Sequence, residues 1–145
     1  MAEAAAPLSV QLVISAGGLA ETDFADSLAG DVLVAPYAPQ LELLGRAQAF
    51  VSHGGANSVM EAMWSGVPLL LIPVCNDQPV QAHFIQKAGA GLSLHLGSLS
   101  AAAIRARLEA LLDPLGNCRA SARRVQRSYR SHDGAREAAR LIAAL

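Results

Sequence analysis

The sequence predicts an α/β protein: a Rossmann-like parallel sheet flanked by helices, with further helices at its C-terminal end. Three observations carry that expectation. Short apolar segments alternate with helical patterns from Val10 to Leu96. One of them, Pro68 to Val74 (PLLLIPV), is apolar without a break, as a strand buried on both faces of a parallel sheet must be. The composition is 52% hydrophobic, 16% charged and only 4% aromatic, dominated by alanine and leucine, which suits helices on a sheet better than an all-β core.

Each element has its own local reason. Val10 to Ser15 (VQLVIS) is β-rich and stops at Gly17-Gly18; Asp31 to Ala35 (DVLVA) repeats that pattern before Pro36. Leu41 to Gly45 makes a brief helix, and Ala47 to Ser52 reads as a third strand running into His53. Ala56 to Ser65 has helical spacing: Val59, Met63 and Gly66 share one stripe, while Asn57, Ser58, Glu61 and Ser65 share a polar one facing away from the core. After the apolar strand, Asp77 to Lys87 is a helix with Gly89 just past its end, and Ala90 to Leu96 is the last strand. Ser100 caps a helix ending near Asp113-Pro114, Cys118 to Arg130 form another, and Asp133 caps a last one to Leu145. Short connections of this kind imply right-handed crossovers and a ligand rim at the carboxyl ends of the strands.

The 145 residues fit one domain, 1–145, large enough to bury a core. A net charge of −1 gives no electrostatic case for nucleic acid or an anionic membrane. No apolar run approaches the roughly 20 residues of a membrane span, and MAEAAAP lacks the features of a signal peptide. Cys75 and Cys118 lie far apart with no metal-ligand spacing, which reads as reduced, buried thiols and a cytoplasmic location.

The chemistry concentrates where the third strand meets its helix. A helix N-terminus has unpaired N–H groups and a partial positive charge of about half an electron, which favours an anion. Gly54 and Gly55 would let a phosphate reach the backbone, Asn57 and Ser58 put donors on the first turn, and His53 has a ring N–H to give. The ordered set describes a diphosphate cradle. Taken singly, the same residues serve as caps, a tight turn and a structural histidine. Glu61 lies one turn deeper, where a carboxylate either serves the helix dipole or accepts two vicinal hydroxyls of a ribose. Asp77 and Gln78 follow the apolar strand on the same rim; they hold sugar hydroxyls, or Asp77 caps the next helix above Pro79. Tyr37, with Ala38-Pro39-Gln40 behind it, ends the second strand where a ring can stack on a base.

YAPQ at 37–40, HGGANSVMEA at 53–62, GVPLLLIP at 66–73 and DQP at 77–79 together resemble the signature of the GT-B type nucleotide-sugar-dependent glycosyltransferases. This is the UDP-glycosyltransferase superfamily, which includes bacterial macrolide and natural-product transferases. The resemblance covers roughly residues 31–96. It implies that Tyr37 stacks on uracil or thymine, Ala38 reads the base edge through its backbone, and Gln40 lies near the ribose. It implies further that His53, Gly54, Gly55, Asn57 and Ser58 hold the diphosphate, Glu61 the ribose hydroxyls, and Asp77 with Gln78 the donor sugar. Tyrosine in place of the family's usual tryptophan leaves uridine and thymidine donors both open, and Tyr37 to His53 is two residues shorter than in the plant signature.

The resemblance also implies an acceptor-binding domain that carries the catalytic histidine and its acidic partner. That domain, and the donor domain's first strand with its Gly-Ser or Gly-Thr turn, have no counterpart here, so the chain is expected to be the C-terminal, donor-binding part of such an enzyme. No catalytic residue is expected within it: His83, His95 and His132 have no orienting partner legible in the sequence. With no DxD, neither a metal site nor a cofactor is expected; a UDP- or TDP-hexose would be the substrate. Two other readings stand beside it: a donor-binding subunit active only with a separate acceptor-domain partner, and a piece of a GT-B-like nucleotide-sugar epimerase. Seven of the eleven basic residues are arginines between 119 and 140. Cys118, Ala122, Val125 and Tyr129 are spaced as a buried stripe, and Arg119, Arg123 and Arg127 form a solvated face or one that docks an acceptor domain or a second copy.

Overall fold

A computed structural model describes residues 1–144 of the chain. In chain order the elements are α1 (Ala2–Ala5), β1 (Leu12–Ser15), β2 (Val32–Ala35), α2 (Gln40–Leu44), β3 (Phe50–Ser52), α3 (Ala56–Ser65), β4 (Leu69–Leu71), α4 (Gln78–Lys87), β5 (Gly91–Ser93), α5 (Ala101–Leu112), α6 (Asn117–Arg130) and α7 (Gly134–Ala143). Short 3₁₀ turns at Gly17–Glu21, Ala25–Ser27 and Leu96–Ser98 fill connections. The expected alternation of strand and helix is present, and every pairing is parallel.

The β4 sequence explains its place. Leu69, Leu70 and Leu71 are all fully buried, and they point alternately to two faces. Leu69 and Leu71 join Val59, Met63, Ala82, Ile85 and Ala122 from α3, α4 and α6. Leu70 joins Ala4, Ala5, Ile104, Leu108 and Leu111 from α1 and α5. Helices therefore cover both faces, and β4 is paired on both sides, by β3 (Phe50↔Leu69) and by β5 (Leu69↔Gly91). Gly91 permits that approach: a Cβ there would collide with the Leu69 carbonyl oxygen and stand 2.8 Å from Ile85 Cγ2.

The strands are shorter than the apolar pattern predicts. Residues 68–74 narrow to Leu69–Leu71 because the prolines at 68 and 73 have no N–H for the ladder. Residues 47–52 narrow to Phe50–Ser52 because the Ala47 N–H turns back to the Leu43 carbonyl at 2.9 Å. The last strand stops at Ser93, and His95 caps the following 3₁₀ turn by accepting the Gly97 N–H on Nδ1 at 3.1 Å.

A single sheet is expected; two ladders are found. β1 pairs β2 in register from Leu12↔Val32 to Ser15↔Ala35, while β3, β4 and β5 form the other ladder. Residues leading into β1 (Pro7 to Val10) and Gln48 before β3 line a cleft of about 430 Å³ with Glu109 and Leu112 of α5 and Asp113 just past its end. Both ladders nevertheless contribute to one cluster, in which Leu12 and Val51 pack with Leu70.

The capping expectations hold at Ser100, which accepts the Ala103 N–H, and at Asp133, which accepts the Arg136 N–H. The expected end of the last helix at Leu145 lies outside the described residues. The α6 stripe is only partly as expected: Ala122 is buried, Cys118 and Val125 are half-buried, and Tyr129 is exposed. Its arginines also depart from a purely solvated face. Arg119 donates to the Ala47 and Gln48 carbonyls, Arg124 to that of Ala88, and Arg130 lies 5.5 Å over the Trp64 ring. Arg123 and Arg127 do face solvent. Among the described residues, no helix is long and apolar enough to cross a membrane.

Candidate functional site

The loop after β3 is shaped by one side chain and one backbone angle. Ser52, buried at the end of the strand, accepts the Gly54 N–H on its Oγ at 3.2 Å. Gly54 then adopts φ +92°, a conformation for which a side chain is poorly suited. The backbone so turned delivers Gly55 as the N-cap of α3, with φ −59° and ψ 140°. Glycine has no side chain with which to cap, so no side-chain bond claims the helix start. The first intrahelical bond runs from the Val59 N–H to the Gly55 carbonyl at 3.0 Å, and the N–H groups of Ala56, Asn57 and Ser58 lie ahead of it.

His53 is exposed and folds back over this turn. A Cβ built on Gly55 would lie 2.8 Å from the histidine Nε2, so the missing side chain at 55 is what lets the ring sit there. Ring and helix start share one open cleft of about 360 Å³, lined by His53, Gly55, Ala56, Asn57, Ser58 and Asp77. The rim expectation is met at this point: residues after β3 and after β4, distant in sequence, meet at one concavity.

Asp77 stands at the N-cap position of α4, yet its carboxylate makes no cap bond. Its one side-chain contact is a long one, 3.4 Å from Gln81 Nε2, and the group is exposed in the cleft. The capping role weighed for Asp77 is therefore not the one it performs. Gln78 is turned the other way. It is buried, its Oε1 accepts the N–H groups of Val74 at 2.8 Å and Cys75 at 3.0 Å, and its Nε2 lies 3.7 Å from Cys75 Sγ. In this arrangement Gln78 shapes the loop that carries Asp77 through its Oε1, while its Nε2 makes only the long contact to Cys75.

Glu61 sits one turn into α3, half-buried, where Gln40 Nε2 donates to its Oε2 and lies 3.4 Å from Ser58 Oγ. This contact ties the start of α2 to the polar stripe of α3. Tyr37 lies in the loop between β2 and α2 with 80% of its surface exposed, and Ala38 beside it is half-buried. The structure thus gathers His53, Gly55, Asn57, Ser58 and Asp77 around one cleft, with Gly54 buried in the turn beneath it, and joins Gln40 to Glu61 and Ser58, while Tyr37 extends into solvent.

Sequence reasoning missed the part Ser52 plays, and the expectation of buried thiols is overturned at Cys75, which is exposed. Ser52 is legible only as a polar residue ending a buried strand, and Cys75 becomes an exposed rim residue only once Gln78 has drawn the loop inward. Cys118 is half-buried, and burial pushes its thiol pKa up.

A family model described as UDP-glucoronosyl and UDP-glucosyl transferase matches residues 18–117, more than half of the chain. An uncharacterised UDP-glucosyltransferase, YojK of Bacillus subtilis (strain 168), is 32% identical over 129 residues, which cover 89% of this chain and 32% of that protein. The NDP-glycosyltransferase YjiC of the same organism is 32% identical over 103 residues, covering 71% of this chain and 26% of its own. Among solved structures, the kitacinnamycin glycotransferase superposes with a TM-score of 0.88 at 29% identity, over 99% of this chain and 37% of that one. The glycosyltransferase VinC, solved in complex with DTDP, gives 0.80 at 25% identity, over 88% and 32%. The chain spans about a third or less of the curated relatives it matches. Its parallel strands and flanking helices are those of GT-B glycosyltransferases, as the sequence resemblance implies. The chain belongs to the UDP-glucoronosyl and UDP-glucosyl transferase family.

Proposed function

We propose that this chain is the donor-binding domain of a glycosyltransferase that transfers a hexose from a UDP- or TDP-sugar to a small hydroxylated acceptor. One observation carries the reading: the uncapped start of α3, reached through Gly54 and overhung by His53, opens into the same cleft as the exposed carboxylate of Asp77. Such a cleft offers backbone N–H groups and a ring N–H to a diphosphate, and an acceptor to sugar hydroxyls. Glu61 would take the ribose, the Tyr37 ring would stack on the base, and the Ala38 backbone would read its edge.

In the reaction, the acceptor oxygen forms a bond to the anomeric carbon as the bond to the diphosphate breaks, and attack from the opposite side inverts that centre. The leaving diphosphate takes the electron pair. On this reading the α3 N–H groups and His53 would stabilise its charge, with no metal ion invoked. The acceptor proton goes to a base across the cleft. Among the described residues that line this cleft the only histidine is His53, on the diphosphate side, so a second domain or a partner subunit would supply the base.

Calorimetric titration with UDP, TDP and ADP tests the reading. UDP or TDP should bind more tightly than ADP. His53→Ala and Glu61→Ala should each weaken binding roughly tenfold or more, as for lost hydrogen bonds to charged groups worth about 1.5 kcal/mol or above. A folded protein that binds none of the three, or binds them unaffected by either substitution, would sink the proposal.

A further inference from the structure

We propose that the space between β1 and β3 is a docking slot for one parallel β-strand of a second polypeptide, which would join the two ladders into a single sheet. The inference stands on the backbone and the apolar packing of the ladders, independently of the donor-site reading.

The two ladders run the same way. At their starts, Pro7 to Val10 ahead of β1 and Gln48 ahead of β3 line one cleft. At their far ends, Gln40 after β2 contacts Ser58 and Glu61 in the helix that follows β3. The inner strand of its pair is β1: Val10 and Leu12 pack against the cluster around Leu70 that Ala49 and Val51 also join, and no residue of β2 does. Yet β1 and β3 stand further apart than neighbouring strands do and are not paired with each other.

The edges that face across this space are unspent. In a parallel pair, alternate residues direct both backbone groups to the same side. Leu12 and Ala16 give their N–H groups to the Asp31 and Ala35 carbonyls at 2.9 and 2.8 Å, so Val13 and Ser15 present theirs to the slot. On the other side, the Phe50 N–H goes to the Pro68 carbonyl at 3.0 Å and the Ser52 carbonyl accepts the Ile72 N–H at 2.9 Å, which leaves Val51 facing the slot. Val13 and Val51 are half-buried, where a backbone group without a partner is costly. A ligand that answers donors and acceptors on two sides at once is an extended strand. Flanked by β1 and β3, it needs about four or five residues, apolar at alternate positions towards the Leu70 cluster. All five strands of the described residues are already paired, so this one comes from another chain. Neither LVIS of β1 nor FVS of β3 carries the charge or proline that blunts an edge against such pairing. A strand seated there ends at the rim between Ala16 and His53, so the slot would tether its partner beside the candidate site.

Amide hydrogen exchange followed by NMR on the 15N-labelled chain tests this. In the chain alone, the Val13, Ser15 and Val51 amides should exchange faster than those of Leu12, Ile14 and Phe50, which the ladders hold. The probes are a set of seven-residue peptides with valine, isoleucine or leucine at alternate positions, flanked by lysines for solubility. At ten times its Kd, a peptide that docks should slow exchange at Val13, Ser15 and Val51 about tenfold. The same peptide N-methylated at alternate residues should give no protection. Val13→Pro, which removes a slot-facing N–H and spares the β1–β2 pairing, should lose the effect while its circular dichroism stays that of the parent. Equal protection of slot-facing and ladder-facing amides in the chain alone would mean the ladders are closed on each other, and the inference fails. It fails equally if none of the peptides protects these amides in the parent chain. Protection that rises with protein concentration, in step with dimer formation in the ultracentrifuge, would make the occupant a second copy and overturn it as well.

Discussion

The β3–β4–β5 ladder and the β1–β2 ladder are built from similar apolar segments, yet they end in very different environments. Every residue of β4 is fully buried, with helices on both faces and a strand on each side. No residue of β1 or β2 is buried, and Leu33 of β2 is 55% exposed. The apolar cluster beneath α3, α4 and α6 takes nothing from β1 or β2. The division runs through the candidate site as well. His53, Gly54, Gly55, Asn57, Ser58 and Glu61 rise from the dense half together with Asp77, whereas Tyr37, Ala38 and Gln40 follow β2. The parts suited to a diphosphate, where a misplaced donor costs most, stand on the close-packed ladder; the part suited to a flat base stands on the looser one.

The largest expected effect would break this contrast if it failed. Leu70→Ala removes a side chain that packs with Ala4, Ile104, Leu108 and Leu111, and should destabilise the fold by about 3 to 5 kcal/mol, the range for a cavity at a site that cannot collapse. Leu33→Ala, at an exposed position in the other ladder, should stay within about 0.5 kcal/mol. Urea unfolding followed by circular dichroism checks both, with the midpoint moving and the slope held. Comparable losses at the two positions would mean that the β1–β2 ladder is as tightly covered as the other.

The buried strand at the centre of the dense half was legible in advance, the division itself was not, and what was missed has physical causes. The unbroken run from Pro68 to Val74 announced a doubly buried strand because nothing polar interrupts it. The same run overstated the strand's length, since hydropathy does not register that proline lacks an N–H. The split into two ladders left no trace in the residues: parallel pairing depends on which edges meet, and β1 and β3 are apolar enough to have been neighbours. In the site, the order His-Gly-Gly before a helix foretold a turn, but whether Asn57 or Ser58 caps the helix start stayed open until the structure put Gly55 at the N-cap with no side-chain bond. The sequence could not foretell the direction of Gln78, because a glutamine after a strand reads the same whether its amide meets a sugar or two backbone N–H groups. The arginines of α6 misled in a similar way. Spacing placed Arg119 on a polar face, but a long side chain can reach the carbonyls of a neighbouring segment while its stem crosses that face.

A middle-sized effect separates two glycines that both have positive φ. Gly54, at φ +92° on the dense half, has Leu71 Cδ2 and Gln78 O within contact distance of a built Cβ, at 3.4 and 3.6 Å. Gly54→Ala should cost about 1 to 3 kcal/mol in backbone strain, and by shifting the turn it should also abolish measurable nucleotide binding. Gly17, at φ +57° after β1, has nothing within 4 Å. Its replacement by alanine should cost about 1 kcal/mol in the left-handed region and leave nucleotide affinity unchanged. Thermal melts and calorimetry on the two variants sharpen the comparison. A loss of binding in Gly17→Ala would show that the sparse half also sets the cradle.

The smallest effect on the fold is expected at Tyr37, and it tests whether the looser half contributes to binding at all. With 80% of its surface exposed, the ring has little to lose on truncation, so Tyr37→Ala should change the melting midpoint negligibly, as surface substitutions within about 0.5 kcal/mol do. A ring that stacks on a base behaves otherwise towards ligand: its removal should weaken UDP or TDP binding by about 1 to 3 kcal/mol, the usual worth of one base on one aromatic side chain. Tyr37→Phe keeps the face and loses only the hydroxyl, so it should bind as the parent does. That pattern would assign the contribution to stacking on the ring. If Tyr37→Phe weakens binding as much as Tyr37→Ala, the hydroxyl is the contact, and the ring meets the base by its edge. If neither changes affinity, the base is held by backbone alone, and the β1–β2 half serves the site only through Gln40 and its hold on Glu61.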